Sequence, residues 1–302
     1  MNADRPLLGI ALMLGFCVLA PLGDSIAKLL GDTVPLAQLL FFRFLMQAFL
    51  LIPIVLWTGR ELRLRGRVLK LAILRAFLHV IGVAAMFTSL RYMPLADAVA
   101  IAFVMPFIML LLGRMVLDEE IGPRRLAACV VGFIGTLLVI QPRFADVGVY
   151  ALLPLVVAVI FALFMLVTRM IAKQCDPITL QAANGIYVSI GLGAAYLLTA
   201  GRENSVFTMV FPDTRETLLL LSIGVLGTVA HLLMTWSLRY APASSLAPMQ
   251  YLEIPFATLI GWMIFKDLPN GMAAVGICIT VASGLYVVYR ERANARLVPP
   301  ET

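Results

Sequence analysis

Long apolar stretches alternate with short polar and charged segments along the whole chain. Each stretch is about 20 residues long, which is the length a helix needs to cross the hydrocarbon core of a bilayer. Pro35, Pro94 and Pro242 lie just before stretches, and proline is favoured at helix starts. The pattern predicts ten membrane-spanning helices, over residues 7–30, 36–57, 69–90, 95–117, 123–141, 148–170, 178–200, 216–238, 243–265 and 270–289.

A repeated motif divides the chain into two related halves. Ser-Leu-Arg-Tyr-Met-Pro over residues 89–94 returns as Ser-Leu-Arg-Tyr-Ala-Pro over residues 237–242, which is 148 positions later. Pro106 likewise has a counterpart in Pro255, 149 positions later. The sequence therefore predicts a first repeat over residues 1–145, a second repeat over residues 146–290 and a cytoplasmic tail over residues 291–302.

The place of the motif among the predicted helices indicates how the halves are related. The first copy closes the third helix and the second closes the eighth, so an odd number of crossings separates them. The two copies then lie on opposite sides of the membrane, and the halves are inverted. Inverted repeats are typical of secondary transporters, which bind their substrate between the halves near the bilayer midplane. This arrangement favours alternating access over a channel or a sensor.

Composition supports an all-α membrane protein, with ten transmembrane helices as two inverted five-helix repeats around a central cavity. The hydrophobic fraction is 62% and the charged fraction 13%, whereas a soluble domain has about 45–50% and 25%. The net charge of +6 does not indicate nucleic acid, because the basic residues lie between the predicted helices. If both termini are cytoplasmic, 15 of the 23 Lys and Arg residues lie inside and six outside, as the positive-inside rule requires.

Motifs for catalysis or cofactor binding are absent from the sequence. It has no GxxxxGK[ST] loop for ATP, no convergent Ser/His/Asp set and no metal-binding spacing among its four cysteines. We therefore expect no enzyme, no cofactor and no metal. The expected partners are a small-molecule substrate and membrane lipids. The stripe Gly276, Thr280 and Gly284 is expected to pack within a monomer of a multi-pass inner-membrane protein.

The order of motifs in each half resembles a known family. Each half has a Leu-Arg-Tyr-x-Pro turn and then a mid-helix proline, followed by an acidic residue at the helix end, Glu119 in the first half and Asp267 in the second. This order is similar to that of the ten-helix EamA branch of the drug/metabolite transporter superfamily, and most similar to bacterial exporters of aromatic and other neutral amino acids. The resemblance implies export of such amino acids by alternating access, with cationic drugs or another small metabolite as alternatives. It also implies that Asp267 caps the last helix.

Polar residues inside predicted helices are the candidates for substrate binding, because an ionisable group at mid-membrane costs about 2.5–3.5 kcal/mol and needs a reason. His79 lies deep in the third predicted helix, and Glu253 lies just ahead of Pro255. A structural role for either is about as plausible from sequence alone. The full candidate set is His79, Gln250, Tyr251, Glu253, Gln38, Asn184 and Tyr187.

Four further charged or polar residues have structural interpretations of their own. Asp24 and Lys28 have the spacing of an ion pair within one helix. Arg43 is as plausibly a structural residue as a substrate contact, and Arg75 is placed to extend toward the cytoplasmic surface. Because Glu253 has no evident second acid beside it in the sequence, we expect transport without obligatory proton exchange.

Overall fold

The chain forms a bundle of helices in a computed structural model that describes residues 5–119, 122–140, 148–199, 207–266 and 271–297. No strand occurs in these segments. The helices are α1 Pro6–Leu30, α2 Leu36–Trp57, α3 Gly66–Ser89, α4 Leu95–Ala102, α5 Met105–Leu117, α6 Pro123–Ile140, α7 Leu153–Ile171, α8 Pro177–Thr199, α9 Thr214–Tyr240, α10 Ala243–Gln250, α11 Glu253–Phe265 and α12 Gly271–Leu297, with a short 3-10 helix over Gly148–Leu152 before α7.

Seven of the predicted membrane crossings meet the length and hydropathy that spanning requires, within the described segments. They are α1, α2, α3, α4 and α5 taken together, α7, α8 and α9. The remaining three predicted crossings contain shorter apolar helical stretches, Leu126–Gly135, Glu253–Phe265 and Ala274–Tyr286. The observed helix bounds agree with the predicted ones within a few residues, except at the last helix. The number of ten membrane crossings stays a prediction.

Two predicted helices are interrupted, which corrects the continuous helices expected over 95–117 and 243–265. The first breaks between α4 and α5, and the second breaks between α10 and α11. Pro106 and Pro255 lie in the first turn after each break. Proline cannot donate to the carbonyl four residues earlier and its ring clashes with that carbonyl, so it is favoured in the first turn of a helix, where no such bond is needed. The two halves therefore share the same break, at the motif proline that the sequence repeats.

Helix packing joins the first half of the chain to the second half. The most extensive contacts are α1 with α9, α3 with α7, α2 with α8, and α6 with α12. The α6–α12 contact is close because both helices present small residues. A Cβ atom at Gly135 would lie only 2.8 Å from the backbone oxygen of Gly276 and 2.6 Å from Thr280 Oγ1. The expected small-residue stripe thus packs inside the molecule.

Side chains tie the two halves together at one end of the bundle. Arg169 Nε of α7 lies 3.3 Å from Glu119 Oε1 after α5, and the same oxygen accepts a 3.1 Å bond from the backbone amide of Ala243. Arg169 Nη1 also donates to the Leu238 carbonyl at 2.7 Å. Glu119 therefore lies at a helix end, as the motif predicts. Its counterpart Asp267, with its predicted capping role, lies outside the described residues.

Candidate functional site

A cavity lies between the two halves and has both apolar and charged walls. It is lined from α1, α2, α3, α4, α5, α7, α9 and α11. Its volume is about 80 Å³ for the centres of water molecules, which is room for several waters because one needs roughly 10–15 Å³ on that measure. Four lining residues can carry charge, namely Asp24 of α1, Arg43 of α2, His231 of α9 and Glu253 of α11.

Aromatic rings form much of the apolar wall of this cavity. Phe16 and Phe161 come from α1 and α7, Phe87 from the end of α3, and Phe103 from the break between α4 and α5. The α4–α5 break therefore places a ring at the site. Aromatic faces hold flat, apolar parts of a ligand, while a few polar groups fix its orientation.

Arg43 is held across the boundary between the halves. Its Nη2 atom lies 3.2 Å from His231 Nδ1, and the side chain is 4% exposed. The guanidinium lies against Gly227 of α9, where a Cβ atom would come within 2.8 Å of Arg43 Nε. The absence of a side chain at Gly227 therefore makes the space in which the guanidinium lies.

His79 lies behind His231 and is not among the cavity-lining residues. The two imidazole rings are 4.3 Å apart between centroids and inclined by 33°. His79 Nδ1 lies 3.0 Å from the side-chain nitrogen of Asn184. His231 therefore separates the His79 ring from the cavity.

Arg75 joins four helices beside this histidine pair. Its guanidinium donates to Thr168 Oγ1 of α7 at 2.8 Å, to Asn184 Oδ1 and Gln181 Oε1 of α8 at 3.1 and 2.8 Å, and to Thr235 Oγ1 of α9 at 3.0 Å. The side chain is fully buried and its Cζ lies 4.6 Å from the centre of the Phe164 ring. The expectation that Arg75 extends to the surface is wrong, because neutral oxygens within the bundle satisfy its donors.

Among the other predicted site residues, only Glu253 lines the cavity. Gln250 is buried, with Nε2 lying 3.3 Å from Met109 Sδ. Tyr251 is also buried and packs on the cavity residue Phe103, with 5.8 Å between ring centroids. Glu253, at the start of α11, thus lines the cavity, while Gln250 and Tyr251 are buried within the protein.

The remaining predicted residues lie elsewhere in the bundle. Gln38 makes two 2.8 Å bonds with the backbone of Val210, and so holds the segment before α9. Asn184 belongs to the Arg75 network. Tyr187, one turn further along α8, is partly buried against apolar residues.

Three cavity residues, Asp24, Arg43 and His231, are absent from the candidate set that the sequence predicts. Asp24 was assigned to an ion pair with Lys28, whose Nζ donates to the Met93 carbonyl at 3.3 Å and lies 4.8 Å from the Phe265 ring centre. The signal available in the sequence was the cost of any ionisable group inside a span. That signal marks the residue but does not tell which way it faces.

The fold and the charged, partly aromatic cavity between two helical halves define a membrane transporter. A model of the EamA-like transporter family matches residues 7–141 and again residues 148–289. The chain belongs to the EamA-like transporter family.

Relatives with named substrates cover almost the whole chain. The riboflavin transporter of Brucella anthropi is 26% identical over 87% of this chain and 91% of its own. The S-adenosylmethionine uptake transporter of Rickettsia prowazekii is 24% identical over 94% and 93%. The pseudopaline exporter of Pseudomonas aeruginosa is 27% identical over 86% and 88%. None of these three is named for amino-acid export, so they do not support that finer expectation.

A solved crystal structure has the same fold. It aligns with a TM-score of 0.71 and 20% identity, and the alignment covers 95% of this chain and 97% of the other.

Proposed function

We propose that the chain is a secondary transporter that moves its substrate unchanged, by alternating access, between two inverted five-helix halves. The packing of the helices supports a two-fold relation between the halves, and the five predicted crossings of each half make that relation an inversion. The helix α1 of the first half corresponds to α7 of the second, and α3 corresponds to α9. The α1–α9 contact is therefore equivalent to the α7–α3 contact, and both are among the most extensive in the molecule. Each half also contains one helix broken ahead of a proline. Two similar halves around one cavity can open it to either side in turn.

The cavity lies nearer to one side of the membrane in the proposed orientation. Its α3 residues Val83, Met86 and Phe87 lie in the last two turns of that helix, and its α7 residues begin at Val157, in the second turn, and continue to Met165. Both ends face outward if the termini are cytoplasmic. The opposite end is closed by the Arg75 network and by the Glu119–Arg169 pair. The described conformation is therefore the one closed to the cytoplasm.

Cysteine labelling tests this orientation. Asp32 and Glu61 are exposed in the segments after α1 and after α2, and we place them outside and inside. In a cysteine-free protein in intact cells, Asp32→Cys should react with a membrane-impermeant maleimide, and Glu61→Cys should react only after permeabilisation. The reverse pattern would invert the topology.

The cysteine-free protein lacks the four native thiols, one of which is exposed in the structure. Cys17, Cys129 and Cys175 are buried and Cys278 is exposed. Burial raises the pKa of the Cys175 thiol, which lies in the turn between α7 and α8, to about 11. A thiol reacts as its thiolate, so this residue is unreactive near neutral pH.

The observation that carries the substrate proposal is the pair of carboxyl groups, Asp24 and Glu253, in an aromatic cavity. Two carboxylates in a water-poor site favour a ligand that brings positive charge, and aromatic rings favour a flat ring system. S-adenosylmethionine has a sulfonium, an ammonium and an adenine ring. A neutral amino acid brings only one positive charge. We therefore favour S-adenosylmethionine, carried in the direction set by the gradients across the membrane, over export of neutral or aromatic amino acids.

Riboflavin is the second candidate. Its flat ring system suits the aromatic wall, and the relative from Brucella anthropi is a riboflavin transporter. Riboflavin is uncharged near neutral pH, however, and would leave both carboxyl groups without a cationic partner. Either molecule is too large for a cavity of about 80 Å³, so the halves must separate further as the substrate enters.

Competitive counterflow in proteoliposomes distinguishes these substrates. Vesicles loaded with unlabelled S-adenosylmethionine should take up external labelled S-adenosylmethionine, whereas empty liposomes should not. Excess riboflavin or phenylalanine should compete weakly. Strong counterflow with riboflavin or phenylalanine and none with S-adenosylmethionine would refute the substrate assignment while leaving alternating access in place.

A further inference from the structure

We propose that Arg43, lying against Gly227 and bonded to His231, forms an anion subsite that binds the carboxylate of the transported substrate. This inference rests on the proposed function, and it assigns the charged residues of the cavity wall to two kinds of substrate group. Asp24 and Glu253 receive positive charge. The Arg43–His231 pair receives negative charge, although Arg43 also interacts electrostatically with Asp24. The transported molecule is then an amino-acid derivative rather than a simple organic cation.

Two buried polar atoms at the subsite, Arg43 Nη1 and His231 Nε2, have no hydrogen-bond partner among the residues that the structure describes. Buried polar atoms in proteins are nearly always paired, so two such atoms on neighbouring, cavity-lining side chains call for a ligand. A carboxylate has two acceptor oxygens, and a guanidinium matches it in shape and charge.

The tautomer of His231 decides whether Nε2 is a donor. Arg43 Nη2 can only donate, and it lies 3.2 Å from His231 Nδ1. The Gly227 carbonyl can only accept, and it lies 3.0 Å from the same ring atom. In the tautomer in which Nδ1 accepts from Arg43, Nε2 carries the proton and the subsite offers two N–H groups to an anion. In the other tautomer, Nδ1 donates to Gly227 and Arg43 Nη1 alone donates to the anion.

Comparison with Arg75 shows that Arg43 is more than a structural arginine. Both lie inside the bundle and both are nearly or fully buried. Arg75 makes four bonds to neutral oxygens on α7, α8 and α9, whereas Arg43 Nη1 makes none. Arg75 is absent from the cavity wall and Arg43 is part of it. The chain thus satisfies one buried guanidinium internally and leaves the other with a donor for a ligand.

A substrate pair that differs only in the carboxylate tests the subsite. Counterflow is measured with S-adenosylmethionine and with its decarboxylated analogue, which keeps the sulfonium, the amine and the ring. The half-saturation concentration of the wild type should be lower for the acid by about tenfold or more, which is typical of a charged hydrogen bond. Arg43→Gln should remove this preference by weakening the acid alone.

Gly227→Ala provides a positional variant that retains the arginine. The added methyl group would occupy the space of the guanidinium, so the preference for the acid should fall as it does in Arg43→Gln. Gly261→Ala is the matched control, because a Cβ atom there meets nothing within 4 Å. Thermal unfolding of each purified variant identifies those that are not folded, and Arg43→Lys, which restores the charge, should recover part of the preference.

Equal half-saturation concentrations for the two compounds in the wild type would overturn the subsite. So would an Arg43→Gln variant that weakens both compounds alike. If the protein carries neither compound, phenylalanine and phenethylamine form the second pair. Transport of phenylalanine but not phenethylamine would retain the subsite although the proposed substrate fails. Transport of riboflavin alone, which has no carboxylate, would overturn both.

Discussion

Replacing Arg75 by methionine should lower the midpoint of thermal unfolding by about 5–10 °C. Methionine has a similar length and no charge, so the change removes four hydrogen bonds and little volume. Bonds between membrane helices contribute about 0.6 kcal/mol each on average, which gives roughly 2–3 kcal/mol for four. Each kcal/mol corresponds to about 2–4 °C in a protein of a few hundred residues.

The measurement is thermal unfolding of the purified protein in detergent, with Arg91→Met as the control. Arg91 is exposed, and its Nη2 donates a 3.0 Å bond to the Val34 carbonyl. Its replacement should change the midpoint much less, because one partly exposed bond is lost. An Arg75→Met variant as stable as the wild type would mean that the network of polar side chains does not hold α3 to α7, α8 and α9.

The same Arg75 variant should also lose transport. Its partners on α7 and α9, Thr168 and Thr235, lie in the last turns of helices that end at the side we place in the cytoplasm. Without the arginine, those helix ends lose their shared partner and the closed conformation is destabilised. Counterflow should therefore fall more than the loss of folded protein accounts for.

The helices of this protein could be predicted from sequence because hydropathy and proline placement act locally. α2 is an example, since its apolar stretch and the preceding Pro35 define both ends. The breaks were harder to predict, because Pro21 and Pro53 lie inside continuous helices whereas Pro106 and Pro255 follow interruptions. The difference depends on which neighbouring helix satisfies or replaces the lost backbone bond, and that information is not local.

The site was predicted only in part, for a related reason. Glu253 was identified because it is an acid next to a helix-breaking proline. His79 has equally distinctive sequence features, yet it lies behind His231 and bonds to Asn184. In a helix surrounded by apolar residues on all sides, hydropathy does not show which face points to the cavity. Asp24 and Arg43 become recognisable as site residues only when α1 and α2 are placed against α9 and α11.

The position of Asp24 changes the expectation for proton coupling. Transport without proton exchange was expected because Glu253 had no evident second acid beside it. Asp24 of α1 and Glu253 of α11 line the same cavity, and the other charged or titratable groups on its wall are Arg43 and His231. Two carboxyl groups thus face one arginine. An uncompensated negative charge is costly to move through a membrane interior.

We therefore expect protons and the cationic substrate to occupy the two carboxyl groups in turn. When the substrate leaves, a proton neutralises the excess carboxylate and the halves can exchange conformations. Substrate movement in one direction then accompanies proton movement in the other. Vesicles with an acidic interior should accumulate labelled substrate from outside, and vesicles with an alkaline interior should lose it.

Glu253→Gln should abolish this accumulation and leave counterflow measurable, with a raised half-saturation concentration because one of the two carboxyl groups that receive the cationic substrate is lost. The amide keeps the shape of the side chain but exchanges no proton, so a pH gradient no longer drives transport. Accumulation should therefore fall to the level reached without a pH gradient. Asp24→Asn should have the same direction of effect, because either carboxyl group supplies the excess charge. Full pH-driven accumulation in both variants would refute proton coupling through Asp24 and Glu253. If the wild type does not respond to the pH gradient, the expectation of facilitated transport without proton exchange is restored.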